Sequence, residues 1–218
     1  LLALSGCGGE KPLLDQPIKT LTCVEPTALP TLVPLGDGRV LAGWVDYENE
    51  MTHLSVVDVA ADKELAAQTL EGCWELQTEQ FTDGSAVLFN WDGGAWQFID
   101  ASLTVTKTFH AEQYGGVFSH DGGTYYFVQD DVLCRADVAS GQTERVPLSS
   151  ELRFMDVAGV FPDSETLFLH CLLSPYSTES GTVILDTATG EYAMLQKEWY
   201  APYYGQSGPE FLRFNNQD

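Results

Sequence analysis

Turn sequences recur along this chain at a nearly constant interval, and this periodicity constrains the fold more than any other feature. The first turn is an Asp-Gly pair, or a relative of it, that leads into an apolar strand. Its aspartates are Asp37, Asp83, Asp121 and Asp163, which stand 46, 38 and 42 residues apart. A fifth, degraded copy is Ser207-Gly208-Pro209-Glu210. The repeat therefore covers most of the chain, with a period of about 40 residues.

A second turn follows each complete copy of the first: a strand ending in Asp, a short polar turn, and another strand. Its aspartates are Asp58, Asp100, Asp137 and Asp186, with spacings of 42, 37 and 49 residues. Asp side chains accept hydrogen bonds from the backbone N–H groups of their own turns, so we expect a structural role for all eight aspartates. Gly141 and Gly190 stand where two of these turns need a positive φ.

Two sets of turns with one shared period predict an all-β fold of stacked four-stranded sheets. Each repeat supplies two hairpins; in the third repeat the predicted strands are 116–119, 124–128, 132–136 and 144–148. One such sheet cannot bury both of its faces, whereas sheets stacked around an axis can. A β-sandwich would not predict such regular spacing. We therefore predict a β-propeller of four complete blades and a partial fifth.

The Asp-Gly turns, together with the later Asp-x-x-Thr-Gly turn at residues 186–190, resemble those of the PD40, YVTN and quinoprotein-like propellers, which are of the WD40-like type. The resemblance covers about residues 30–218. Because the fifth repeat stops after two strands, two explanations remain open. Either the chain is a fragment of a larger propeller, or an early strand at residues 18–24 completes the last blade. The second option still leaves that blade one strand short, which favours the fragment.

The N-terminal segment predicts where the protein works. Leu4-Ser5-Gly6-Cys7 follows a short apolar run and resembles the lipobox of bacterial lipoproteins. This resemblance implies a diacylglycerol on Cys7 and an extracytoplasmic location in the bacterial cell envelope. Residues 1–6 would be a signal-peptide remnant, 7–16 a lipid-anchor linker, and 17–218 the propeller domain, incomplete at its C-terminus if the chain is a fragment. No apolar run reaches the roughly 20 residues that span a bilayer, so we expect membrane attachment through the Cys7 lipid only.

The net charge limits the classes of partner, and the cysteines bear on whether the chain contains disulfides. The chain has 32 acidic and 10 basic residues, a formal net charge of −22, which repels phosphate backbones and excludes nucleic acid as an expected partner. Cys23, Cys73, Cys134 and Cys171 are an even number in an exported chain, which permits two disulfides. Cys134 and Cys171 lie in apolar strand-like runs, which favours buried thiols.

The loops between hairpins and between blades are rich in aromatic and acidic residues. In propellers of the type named above, these loops share the face opposite the two Asp turns, which makes them the candidate ligand face. Exposed aromatic side chains give a large contact area at low entropy cost, which suits a protein, peptide or glycan. The alternative role for any one of them is to fill space between blades. The candidates are Tyr47, Glu48, Trp74, Trp91, Tyr114, Asp131, Tyr176, Trp199 and Tyr203.

Catalytic motifs are sparse. The histidines show no His-x-x-x-His spacing, and no Gly-x-Ser-x-Gly sequence occurs, so we predict no catalytic residue, metal or cofactor. The leading hypothesis is a lipid-anchored, extracytoplasmic propeller that acts as a binding or scaffold module. The alternative is a carbohydrate-active hydrolase, which would need two facing carboxylates about 5–10 Å apart in the propeller funnel.

Overall fold

The chain folds into successive antiparallel sheets. The computed structural model describes residues 30–79, 81–111, 115–148, 153–161, 165–172, 180–195, 200–205 and 208–213. Within these ranges the regular secondary structure consists of eighteen β-strands and no helix. It follows that no described helix could cross a membrane. Cys7, Cys23 and the predicted segments 1–6 and 7–16 lie outside the described residues.

Sixteen of the strands form four four-stranded blades, and in each blade strands that follow one another in the chain are paired. The first blade contains β1 (Thr31–Gly36), β2 (Arg39–Asp46), β3 (Met51–Asp58) and β4 (Lys63–Glu71). The second contains β5 (Trp74–Leu76), β6 (Ala86–Asn90), β7 (Ala95–Ile99) and β8 (Val105–His110). The third contains β9 (Val117–Phe118), β10 (Thr124–Gln129), β11 (Val132–Asp137) and β12 (Thr143–Arg145). The fourth contains β13 (Arg153–Val160), β14 (Thr166–Leu172), β15 (Ser180–Asp186) and β16 (Tyr192–Leu195).

A two-stranded sheet follows the fourth blade. It pairs β17 (Tyr200–Gly205) with β18 (Gly208–Arg213), and Tyr203 lies opposite Glu210. The predicted all-β propeller with four complete repeats and a partial fifth is confirmed. The prediction that Tyr203 lies in a loop is wrong, because residues 200–205 form β17. These residues form the first strand of a hairpin, in which Gly205 lies opposite Gly208 of β18.

The hydrophobic core lies between the blades. On β10, Tyr125 and Phe127 pack toward the second blade, whereas Tyr126 and Val128 pack toward the fourth. This alternation follows from the two-residue period of a strand, which turns successive side chains to opposite faces. Every central strand can therefore be apolar along its whole length, because both of its faces are covered.

Three clusters fill these interfaces, and they differ in chemistry. Between the first and second blades the core is mainly aliphatic, with Leu41, Leu54, Val56, Leu88 and Ile99 among its members. Between the third and fourth blades it is again mainly aliphatic, with Leu133, Val157, Leu167, Leu169 and Leu185. Between the second and third blades it is aromatic; its rings are Phe81, Phe89, Trp96, Phe98, Phe109, Phe118, Tyr125 and Phe127.

The exposure of a strand depends on its position within the blade. The last strands, β4 and β12, are largely exposed and form the outer edge. The first strands are on the axis side: β13 packs against β9 and β10 and contacts β17. The inner strands therefore bring residues of several blades together, although these residues are distant in sequence.

The described cysteines are free thiols. Cys134 and Cys171 are buried and Cys73 is half-buried. Burial raises the pKa of the Cys134 and Cys171 thiols, which makes them poor nucleophiles. These two residues agree with the expectation of buried thiols in apolar strands.

Candidate ligand face

The Asp turns lie together on one face, which we call the turn face. Their carboxylates accept local hydrogen bonds: Asp58 from Ala61 N–H at 2.9 Å, and Asp186 from Ala188 N–H at 2.8 Å and Thr189 N–H at 3.0 Å. Asp83 accepts bonds from the N–H and hydroxyl of Ser85. Asp37 instead lies 3.8 Å from Arg39 and is itself at a positive φ. Asp163 lies outside the described residues.

Three turn carboxylates have a serine hydroxyl as their strongest partner. Ser119 donates to Asp121 at 2.5 Å, Ser102 to Asp100 at 2.7 Å, and Ser140 to Asp137 at 2.7 Å. Backbone N–H groups of the same turns add further bonds. These hydrogen bonds lower the pKa of all three carboxyl groups, because they favour the charged form.

The opposite end of the strands, which we call the loop face, carries the connections 47–50, 72–73, 91–94 and 130–131. The first two are tied together, because Gly72 N–H donates to the Glu50 carbonyl oxygen at 2.7 Å. The buried Thr52 hydroxyl donates to the Gly72 carbonyl oxygen at 2.8 Å and accepts from Trp74 N–H at 2.7 Å. These hydrogen bonds hold the connection between β4 of the first blade and β5 of the second in place.

Tyr47 and Trp91 are the exposed aromatic residues of these loops, with 65% and 58% of their surface accessible. The Tyr47 hydroxyl donates a hydrogen bond to Glu75 Oε1 at 2.8 Å, and this bond raises the pKa of the phenol. The Trp91 ring packs edge-on against Phe89, with centroids 4.7 Å apart. Both rings are held by the protein and still present a face to solvent.

Trp74 has a different position from the one its sequence context suggested. It is the first residue of β5 rather than a loop residue, and it is half-buried against the aliphatic core. Its indole N–H donates to the Glu71 carbonyl oxygen at 3.1 Å. Trp74 therefore serves mainly to fill the junction between the first two blades.

A cavity of about 570 Å³ opens beside Tyr47, and we call it the rim cavity. Its wall includes Thr31 of β1, Trp44 of β2, and Glu75 and Gln77 of the second blade. Trp44 stacks on His53 with centroids 5.1 Å apart and an interplanar angle of 14°. The rim cavity thus combines aromatic surface with a carboxylate, and its volume is within the range of small-ligand sites.

The loop face of the first two blades is strongly acidic. Its carboxylates include Asp46, Glu48, Glu50, Glu75 and Asp92, and its described connections 47–50, 72–73 and 91–94 include no Lys or Arg. Asn49 donates to Asp46 through both its side chain and its backbone, which lowers the pKa of that carboxyl. The pKa of the Cys73 thiol is raised, first by burial and then by Glu50, Asp92, Asp46 and Glu75.

Asp131 lies apart from this group, on the loop face of the third blade. Its carboxylate pairs with the Arg153 guanidinium at the start of the fourth blade, and Arg153 Nε lies 3.0 Å from Asp131 Oδ2. The negative charge of Asp131 is therefore already neutralised by Arg153. Asp131 connects two blades, and it differs in this respect from the carboxylates around Tyr47.

The structure brings together Tyr47, Glu48, Trp74 and Trp91 of the nine candidates. Tyr114, Tyr176 and Trp199 lie outside the described residues, and for Tyr203 only its place in β17 is described. Trp44 and Glu75 belong with the first group, although neither was among the candidates. The acidic-aromatic composition of the segments 44–50 and 73–75 could have indicated both.

A second cavity, of about 550 Å³, lies where three blades meet; we call it the Glu79 cavity. Its wall is formed by Glu79 and Phe81 of the second blade, Phe118 and His120 of the third, and Val160 of the fourth. Glu79 Oε2 is buried without a hydrogen-bond partner among the described residues. Burial raises the pKa of the Glu79 carboxyl. Nothing in the local sequence distinguishes Glu79 from other acidic residues, so only the assembled blades identify it.

The hydrolase alternative requires two carboxylates that face each other. Among the described residues of the two cavity walls, Glu75 is the sole carboxylate of the rim cavity and Glu79 that of the other. Nor does the described part of the chain group three or more His, Cys, Asp or Glu residues in a way that could hold a metal ion. Neither of these two cavities therefore has a pair of carboxylates on its described wall.

No protein-family model and no curated protein matches the sequence. Among solved structures, the β-propeller domain of the Trilobed protease from Pyrococcus furiosus is similar, with a TM-score of 0.55 and 13% identity over 87% of this chain and 69% of that one. Hydrazine synthase from Kuenenia stuttgartiensis has a TM-score of 0.51 and 14% identity over 87% of this chain and 58% of that one. TolB from Acinetobacter baumannii has a TM-score of 0.49 and 17% identity over 82% of this chain and 46% of that one.

This chain therefore spans less than two thirds of the hydrazine synthase and TolB chains. At such low sequence identity, the likeness to the Pyrococcus furiosus propeller and to hydrazine synthase shows a shared fold and nothing about the ligand.

Proposed function

We propose that this protein is a binding or scaffold module that holds a basic segment of a partner protein or peptide on the loop face of its first two blades. One observation carries the proposal: exposed Tyr47 and Trp91 stand among five carboxylates, with no Lys or Arg in the described loops of that face. Aromatic rings give contact area and attract cations through their faces. The carboxylates steer a cationic partner and disfavour an anionic one.

This charge pattern selects among the partners that the sequence left open. A protein, a peptide and a glycan could all use exposed aromatic rings, but a neutral glycan gains little from the surrounding carboxylates. A segment rich in Lys or Arg gains from both features, because its aliphatic stems pack on the rings while its charges approach the acids. We therefore favour a basic peptide segment over a glycan.

The location of the module is part of the proposal. The Leu4-Ser5-Gly6-Cys7 sequence supports a lipid anchor on Cys7 and a position outside the cytoplasm. Such an anchor would hold the propeller near a membrane through acyl chains alone, since a net charge of −22 gives no attraction to anionic headgroups. The partner would then be another protein of the cell envelope.

The test uses two fluorescein-labelled octapeptides, one of alternating Lys and Leu and one of alternating Glu and Leu. Fluorescence anisotropy should show binding of the Lys peptide that weakens as salt is added, and no binding of the Glu peptide. The double variant Tyr47→Ala/Trp91→Ala should bind the Lys peptide at least about tenfold more weakly, since it loses two aromatic anchors.

The matched control is Leu65→Ala, which removes a side chain that is 49% exposed on the outer strand β4. It should bind like the wild type. Equal affinities of the double variant and the wild type would contradict the proposal, because the net negative charge alone would then explain binding of the Lys peptide.

A further inference from the structure

The Glu79 cavity is separate from the loop-face site and is built by three blades. Glu79 follows β5, Phe118 belongs to β9, and Val160 ends β13. The Thr82 N–H donates to the His120 carbonyl oxygen at 2.8 Å and ties the second blade to the third. His120 Nε2 donates to the Val160 carbonyl oxygen at 3.1 Å and ties the third to the fourth. The cavity walls are thus held in place by hydrogen bonds.

Two other polar side chains at this wall, those of Ser119 and His120, already have partners within the protein. The Ser119 hydroxyl donates to Asp121 and accepts from Thr124 N–H at 2.9 Å, and the His120 ring is bonded to Val160. Glu79 differs, because its buried Oε2 has no partner among the described residues. Removing a carboxylate from water without a compensating bond or charge is costly, so this position favours the arrival of a cation.

The remaining wall determines what kind of cation fits. Phe81 and Phe118 are in edge-on contact, with centroids 5.8 Å apart, and Val117 and Val160 add aliphatic surface. Aromatic faces attract ammonium groups and aromatic edges pack well against other rings. A hydrated metal ion would gain little here, since the described wall offers one carboxylate. The surface fits an organic cation with an apolar body.

We propose that the Glu79 cavity binds a small primary amine with an aromatic or aliphatic body, its ammonium group against the Glu79 carboxylate and its body against Phe81 and Phe118. The volume of about 550 Å³ is sufficient for such a molecule. The lining of this site does not include Tyr47 or Trp91. The proposal for the Glu79 cavity can therefore be tested independently of the proposal for the loop face.

The experiment titrates 2-phenylethylamine into the purified protein at pH 7 and follows binding by calorimetry or by chemical-shift changes. The neutral analogue 2-phenylethanol, of nearly the same shape, is titrated in parallel. We expect the amine to bind with a Kd of about 0.1–1 mM, a realistic affinity for a ligand of this size, and the alcohol at least about tenfold more weakly. Equal affinity of amine and alcohol would overturn the proposal.

The matched variants are Glu79→Gln and Glu71→Gln, which remove the same charge from the cavity and from the exposed outer strand β4. Glu79→Gln should weaken amine binding at least about tenfold and leave alcohol binding unchanged, whereas Glu71→Gln should change neither. Undiminished amine binding by folded Glu79→Gln would contradict the proposal. Should that variant fail to fold, the comparison of amine with alcohol in the wild type still decides.

Discussion

Gly116 is a residue for which only a hydrogen atom fits. A Cβ at this position would lie 2.3 Å from the Tyr126 carbonyl oxygen, 2.6 Å from Tyr125 Cζ and 2.9 Å from Phe127 Cβ. Its N–H also donates to the Tyr125 hydroxyl at 2.9 Å, at the entrance to the aromatic core. Gly115, the preceding residue, needs glycine for another reason, since its φ is +82°.

We predict that Gly116→Ala lowers the free energy of unfolding by about 2–3 kcal/mol, because the added methyl group displaces backbone and packed rings. Gly93→Ala is the control: its φ is not positive, and its nearest neighbour would be Asn90 Oδ1 at 3.7 Å. This control should change stability by less than about 0.5 kcal/mol. Urea unfolding of both variants measures the difference. Equal stabilities would contradict the prediction, because the surrounding residues would then have moved to accommodate the methyl group at little cost.

At the residue scale, prediction from sequence succeeds where the cause is local. The glycines of the Asp turns could be predicted, and Gly141 and Gly190 have φ values of +72° and +71°. The role of Gly116 could not be predicted, because it depends on a strand ten residues further along the chain. The burial of Glu79 was equally inaccessible, since it depends on three blades that are far apart in sequence.

At the element scale, the Asp121 turn is a self-contained unit. The carboxylate accepts hydrogen bonds from the Ser119 hydroxyl and from Gly123 N–H, and the Ser119 oxygen in turn accepts from Thr124 N–H. These bonds connect β9 to β10 through a turn in which Gly122 has a φ of +66°. The turn therefore sets the geometry of the first hairpin of the third blade.

We predict that Asp121→Ala lowers the free energy of unfolding at pH 7 by about 1–2 kcal/mol, the contribution of a charge-assisted turn. Because folding lowers the pKa of Asp121, its contribution is present above the ordinary value of 3.8 and is lost as the pH falls through the folded value. Urea unfolding at pH 7 and pH 3 should therefore show a smaller gap between wild type and variant at pH 3. A gap that is independent of pH would exclude the carboxylate as the cause.

Two controls accompany this variant. Asp121→Asn keeps an acceptor for Gly123 N–H, so it should recover part of the stability and lose the pH dependence. Binding of the Lys peptide to the loop face should be unchanged in Asp121→Ala, since the turn lies at the other end of the strands. Loss of peptide binding in a folded variant would mean that the two faces have been assigned the wrong way round.

Strand positions were the most predictable elements. In the third blade the predicted strands 124–128 and 132–136 differ by one residue at their ends from the observed Thr124–Gln129 and Val132–Asp137. The outer strand is less well predicted, at 144–148 against Thr143–Arg145, because its three residues are all exposed and form no apolar pattern. Trp74 was assigned to a loop because a three-residue inner strand has too few residues for an alternation to be recognised.

At the scale of the whole molecule, the lipid anchor that we propose on Cys7 is independent of the stability of the propeller. We predict that Cys7→Ser moves the protein from the membrane fraction to the soluble extracytoplasmic fraction, because serine cannot accept the diacylglycerol by a thioether bond. The circular dichroism spectrum and the unfolding midpoint should not change. Fractionation of the bacterium followed by intact-mass measurement checks both points, and a variant still found with the membrane would contradict the lipobox interpretation.

The inter-blade clusters mean that the blades are not interchangeable copies. The second blade has an aliphatic side toward the first and an aromatic side toward the third, and the third blade is aromatic on one side and aliphatic on the other. A gene in which the second and third repeats were exchanged would set an aromatic face against an aliphatic one at the junctions with the first and fourth blades, and close packing would be lost there. The composition of its two faces thus restricts each repeat to its own place in the order of the blades.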